Sequence, residues 1–326
     1  MSLNFNISPY YDDFNETKNF HRILFRPGYA VQARELTQLQ TQIQDQIKRF
    51  GKHIFTNGSI VTGGARLFDN ELLSIKLNSS YSGAAVTLSN FNGKTIKGST
   101  SGTIAVVKTI AEINAAGDPK TLIVKIISGS AFQAGENIVT TTGTVYTATI
   151  QSNSPFNSAM AFSIDSGVFF VDGKFIYLEA QTINVDKYTN TSSKNIGLVL
   201  NESFITSDND SSLLDNAQGS PNYAAPGADR YGASLTLTVK NLTDNVENFI
   251  EIARVVDGAL VVNQDKTVYS EIGKELARRT YDESGDYTVK SWPIQISDDV
   301  SVPSDSTKFT VSLDPGKAYV KGYEFG

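Results

Sequence analysis

The residues that could do chemistry are few. The chain of 326 residues has no cysteine and two histidines, His21 and His53, so a disulfide framework and a thiolate metal site are excluded. Both histidines stand beside aromatic and basic residues and outside any nucleophile motif, which suits a structural role better than a general base. No Gly-x-Ser-x-Gly elbow and no Gly-rich phosphate loop ending in Gly-Lys-Ser/Thr is present. The run Ser207 to Asp215 carries Asp208, Asp210 and Asp215. It is loosely like a calcium loop but lacks the central glycine and terminal glutamate that such a loop needs. Capping of turns by short polar side chains accounts for it better. Asp282, Glu283 and Asp286 fall in a polar stretch, Tyr281 to Tyr287. A cation site is conceivable there, and a solvated or Arg-paired loop is the plainer reading. Paired carboxylates for glycoside hydrolysis must face each other across a cleft, and the mere number of Asp and Glu residues does not diagnose that. No catalytic residue, metal ligand or cofactor site is expected.

The clearest structural element is a helix within Arg26 to Gly51. Leu36, Leu39, Ile43, Ile47, Phe50 and Ile54 follow steps of three and four, one narrow apolar seam at helical spacing. Gln38, Gln40, Gln42, Gln44 and Gln46 lie between them, so much of the polar surface is uncharged. Lys48 and Arg49 suit the carbonyl end of the helix, and Gly51 is expected to end it in a left-handed C′ position. Ahead of it, Pro27-Gly28 breaks the chain after an irregular arm rich in aromatics: Phe5, Tyr10, Tyr11, Phe14, Phe20 and Phe25. So many aromatics do not belong to a solvated tail. The arm packs either on its own domain or against a neighbouring subunit.

The rest reads as mainly β, in several small sandwich or barrel modules with one inserted in another. Between 84 and 152, short β-branched runs alternate with Gly, Asn, Ser and Asp turns at intervals of about ten residues, the signal of a small barrel. There Gly129 to Gly135 looks like a compact turn that holds Phe132 inward. Residues 56–83 and 153–240 form the flanking β domain. Val168 to Tyr177 reads as a hairpin with Asp172-Gly173 at its tip. Ala318 to Phe325 echoes it, and Asp257-Gly258 marks another. Residues 241–326 read as a second β domain, with a short helix from Ser270 to Arg279. Its last strand lacks an evident partner, which suggests a natural chain longer than Gly326.

Net charge is −6 and no basic run occurs, which gives nucleic-acid binding little support. No window of 18 apolar residues is found. The sequence Met1-Ser2-Leu3-Asn4-Phe5-Asn6 has neither the basic nor the apolar region of a secretory signal.

Longer motifs carry a resemblance. Phe5 to Phe14 and Asn19 to Thr37, with His21-Arg22-Ile23-Leu24-Phe25-Arg26-Pro27-Gly28-Tyr29 at their centre, resemble tailed-bacteriophage virion structural proteins of the baseplate or tail type. Asp215 to Arg230, Glu275 to Val289 and Ala318 to Glu324 are similar to further signatures of that family. The resemblance implies a virion building block made in the host cytoplasm, without catalytic activity or cofactor, whose partners are other tail or baseplate proteins. An assembly role through Tyr10, Tyr11, Phe14, Phe20, Phe25, Leu36, Leu39, Ile43, Ile47 and Phe50 is the leading expectation. A homo-oligomer, with a trimer favoured, would bury the seam. A host-surface or glycan-binding role, using the 84–152 module or the 206–230 loop, is the alternative.

Overall fold

A computed structural model describes residues 3–112, 118–263, 270–298 and 309–325. Among these the chain is mainly β, with strands in several sheets and two α-helices. It divides into two units. The first comprises Met1–Lys52 and Asn57–Lys266, the second His53–Thr56 and Thr267–Gly326.

In the first unit, an eight-stranded antiparallel sheet runs in the order β13 (Gln181–Asp186), β10 (Phe156–Ile164), β2 (Arg66–Lys76), β7 (Thr121–Ser128), β6 (Ile104–Ala111), β5 (Thr95–Gly98), β8 (Asn137–Thr140) and β9 (Thr147–Thr149). A three-stranded sheet joins β1 (Ser59–Gly63), β11 (Gly167–Val171) and β12 (Lys174–Leu178). A four-stranded sheet has the order β15 (Arg230–Asn241), β14 (Lys194–Ile205), β16 (Phe249–Val256), β17 (Ala259–Asn263). A short pair, β3 (Ser80–Tyr81) and β4 (Ala84–Ala85), stands apart.

Alternating strands such as β6 send every second side chain inward, while β7 and β10 bury consecutive residues on both faces, and two large cores result beside a small cluster of Leu72, Ile123, Ala159 and Ala161. One gathers Phe162, Phe169, Ile176, Ile196, Leu198 and Leu237 from all three larger sheets. The other gathers Ile75, Leu88, Phe91, Ile96, Val107 and Ile138 within and beside residues 84–152. Phe132 sits in this second core, as its turn suggested. The 84–152 segment therefore has its own core, yet its strands continue the same sheet through the pairing of β7 with β2. The domain boundary expected at 241 falls later, because β16 pairs with β14 and carries β17 with it.

The second unit contains α2 (Ser270–Ser284), a three-stranded sheet of β18 (Tyr287–Lys290), β21 (Lys317–Val320) and β22 (Tyr323–Phe325), and a separate ribbon of β19 (Ile294–Asp298) and β20 (Phe309–Leu313). Here α2 outruns the helix expected to stop at Arg279. It absorbs the start of the polar stretch and ends before Gly285, whose amide closes on the Tyr281 carbonyl at 2.8 Å. The final strand does have a partner, since β22 pairs antiparallel with β21.

Three hairpins share one turn chemistry. Asp172-Gly173, Asp257-Gly258 and Lys321-Gly322 all have positive φ at both central residues, 47° and 80°, 49° and 77°, and 49° and 77°. That is the backbone of a type I′ turn, whose twist matches that of the flanking strands. At Gly322 a side chain would also collide with the Ala277 carbonyl, so the turn lies directly against α2.

Candidate assembly surface

Helix α1 (Ala33–Ile54) is capped from one side. The Gln32 amide donates to Glu35 Oε2 at 2.9 Å, the back-reaching half of a capping box. Its far end departs from expectation. Gly51 is not a left-handed terminator: the helix continues to Ile54 and Gly51 is buried inside it. An added Cβ there would lie 2.5 Å from the Phe170 ring, so glycine lets the helix close on the β11–β12 hairpin. One turn earlier the Lys48 stem lies over Gly173 at the tip of that hairpin.

The polar side of α1 faces the chain's own arm. Asp12, 6% exposed, accepts from Thr41 Oγ1 at 2.6 Å and from the Phe14 amide at 3.1 Å. Asp13 accepts from Gln38 and, at 3.4 Å, from Arg34. Arg49 bridges Glu16 at 3.0 Å and Asp45 at 2.7 Å. Gln42 is buried in the crevice between arm and helix, whose free space of about 20 Å³ leaves no room for a ligand beyond water size.

The apolar side faces away. Leu36, Leu39, Ile43, Ile47 and Phe50 are 40–69% exposed, an unbroken stripe along the helix. Helices normally bury that side.

Farther back, the arm docks on the β14–β15 pair. Phe5 sets its edge on Phe204 and Tyr231, with centroids 5.8 and 5.1 Å apart, and Tyr10 stacks on Phe204 at 4.9 Å. The Tyr10 hydroxyl donates to Asp229 Oδ2 at 2.7 Å. Beneath them Glu202 accepts from the Tyr231 hydroxyl, from Lys174 Nζ at 2.9 Å and from the Leu3 amide at 3.2 Å. Burial pushes the Glu202 carboxyl up, but the Tyr231 and Lys174 hydrogen bonds outweigh it and hold the pKa below the usual range. Burial, aided by the Glu202 hydrogen bond, pushes the Tyr231 phenol up to about 12.

The ten expected assembly residues thus separate. Tyr10 serves the protomer's own β domain and Phe14 is half-buried, while Tyr11, Phe20 and Phe25 are exposed together with the five helix residues. The Glu202–Lys174–Tyr231 network and Phe204 were not singled out by sequence. The direct pairing of Phe204 with Tyr231 is evident only once the strand register is known. In the acidic stretches singled out as possible cation loops, Asp282 and Glu283 lie within α2, where Asp282 faces Arg278, and three other carboxylates hold backbone amides of turns. Asp210 accepts from the Ser212 amide at 2.9 Å, Asp215 from the Ala217 amide at 2.8 Å and Asp286 from the Lys321 amide at 2.6 Å. Among the described residues no three His, Asp or Glu side chains converge as a metal site, and no helix is long and apolar enough to cross a membrane.

No curated protein matches the chain, and no solved structure does. One family model matches residues 8–133 and 156–326, and the unmatched stretch holds β8 and β9, the outermost strands of one edge of the large sheet. With nearly its whole length covered, the chain belongs to the DUF4815 family, a domain of unknown function.

Proposed function

We propose that the chain is a non-enzymatic structural protein of a bacteriophage tail, a baseplate or tail-appendage connector that assembles through its arm and α1. The carrying observation is the orientation of α1, whose polar side is engaged by Asp12, Asp13 and Glu16 while its seam lies open. An apolar stripe of this length on a helix already anchored by its other faces suits burial against other chains. The resemblance of the arm and the first turns of α1 to tail proteins supplies the setting. Copies of this chain are the proposed first partners, three per assembly, with other tail proteins beyond them.

Peptide mass spectrometry of purified virions of the phage encoding this chain tests the setting. Stoichiometric presence in tails is expected, and absence from the particle would refute it. A density map of those particles should show Leu36 to Phe50 buried between chains.

A further inference from the structure

The small cluster of Leu72, Ile123, Ala159 and Ala161 lies on the face of the large sheet turned away from Ile75 and its core. Register places Asn157 directly opposite Ser74, and Ser74 opposite Ile123, so all three share the face of that cluster. Ser74 is completely buried, yet its Oγ meets no donor or acceptor of the protein, and neither does the buried Oδ1 of Asn157. One strand over, Asn184 stands opposite Ala161, and its Oδ1 is buried and unpartnered as well. Among the described residues five such side-chain atoms occur, so three on adjacent strands of one sheet form a concentration rather than a scatter. Buried polar groups in native proteins nearly always have a partner, and each one without a protein partner calls for an explanation.

We infer that this face is a built-in hydration site, in which ordered water bridges Ser74 Oγ and Asn157 Oδ1. Side chains directly opposed in an antiparallel pair hold their Cβ atoms about 4.5–5.5 Å apart, a span that one water closes with two hydrogen bonds. Serine and asparagine each offer donors and acceptors, which suits water. A calcium ion calls for carboxylates, and neither residue carries one. The surroundings agree. Ala159, the next residue along this face from Asn157, carries only a methyl group. The segment after β13 reaches both ends of the face: Tyr188 Oη lies 3.5 Å from Thr121 Oγ1, and Asn190 Nδ2 donates to the Asn70 carbonyl at 3.4 Å. Solvent also has a way in. The pairing of β2 with β7 stops at Leu73 and Val124. Beyond it an open cleft of about 330 Å³, lined by Asn70, Leu72, Lys125 and Asn190 among others, reaches Leu72, the next residue along the face from Ser74.

The test uses the full chain. A density map that resolves ordered water should show a peak within about 2.7–3.2 Å of both Ser74 Oγ and Asn157 Oδ1. A map without such a peak overturns the inference, whether the two side chains bond each other directly or are served by other groups of the protein. In solution, oxygen-17 magnetic relaxation dispersion counts the waters held longer than the protein takes to tumble. The double variant Ser74→Ala/Asn157→Val, which removes both polar partners, should lower that count relative to the unaltered chain. An unchanged count in a folded double variant would overturn the inference equally. Should the double variant not fold, the map of the unaltered chain decides alone.

Discussion

Replacing Ile43 and Ile47 with aspartate separates an open seam from a core helix. In the protomer these side chains are 57% and 46% exposed. Surface substitutions usually change stability by within about 0.5 kcal/mol each, and Ile and Asp differ little in helix propensity. The protomer should therefore lose about 1 kcal/mol or less, a fall in Tm of about 2–4 °C for a unit of this size. In an assembly the cost is larger. Fully burying an isoleucine is worth about 1.5–3 kcal/mol, and about half of that remains to be gained at each position, so roughly 2 kcal/mol per copy is forfeited. Leaving two carboxylates without partners in an apolar interface adds several kcal/mol. A loss of about 3 kcal/mol or more weakens association by over ~100-fold. Sedimentation velocity and thermal unfolding of the full chain read both quantities. Folded protomers that no longer assemble are expected. A drop in Tm of ~10 °C or more, with variant and wild type compared at a dilution where both are monomers, would place the seam in the protomer's own core and refute the reasoning. Unaltered assembly would refute it from the other side.

Other outcomes follow from the supports of α1 and from the buried acids. Gly51→Leu should cost about 1–3 kcal/mol, because its side chain must displace the Phe170 ring; a chemical-denaturation midpoint measures the loss. Glu136 accepts from the Thr100 and Ser101 amides at 2.9 Å, the Ser101 hydroxyl at 2.8 Å and the Gln133 amide at 2.6 Å. Burial raises its pKa, but these four bonds together hold it below the usual value of 4.5. Its stabilisation is thus present above about pH 4.5 and lost as pH falls through the lowered folded-state value. Glu136→Gln should flatten that acid limb in urea midpoints measured across pH. Tyr231 is raised instead, so its contribution is intact below pH 10 and lost as pH rises toward about 12. Tyr231→Phe should remove part of the alkaline loss, read by circular dichroism. Thr41→Val removes the hydrogen bond to buried Asp12 and should loosen the arm by about 1–3 kcal/mol, read as faster amide exchange at Asp12 and Phe14.

Local patterns carried much of the fold. Asp172-Gly173 and Asp257-Gly258 named their hairpins because a type I′ turn accepts few other pairs, and the Leu36 to Phe50 spacing named a helix. What such patterns omit is the partner. Helical spacing says that Ile43 and Ile47 share a side, not that Asp12, Asp13 and Glu16 hold the opposite one. Gly51 has the sequence context of a C-cap, and only Phe170, more than a hundred residues away, explains why the helix runs through it. Strand register likewise decided that Phe204 and Tyr231 form one platform for Phe5 and that Glu202 lies beneath it. The boundary after β17 was missed for a similar reason, since β14 reaches β16 across a long interval of chain.

Strand β2 has a mechanical consequence. Its eleven residues pair with β10 along nearly their full length; Phe68 packs on one core and Ile75 belongs to the other. Tension drawing these cores apart along the strand would load the β2–β10 ladder in shear, with many hydrogen bonds strained together rather than unzipped in turn. The two cores are thereby joined by a stiff beam instead of a hinge, and force entering the 84–152 segment reaches the larger core without slack.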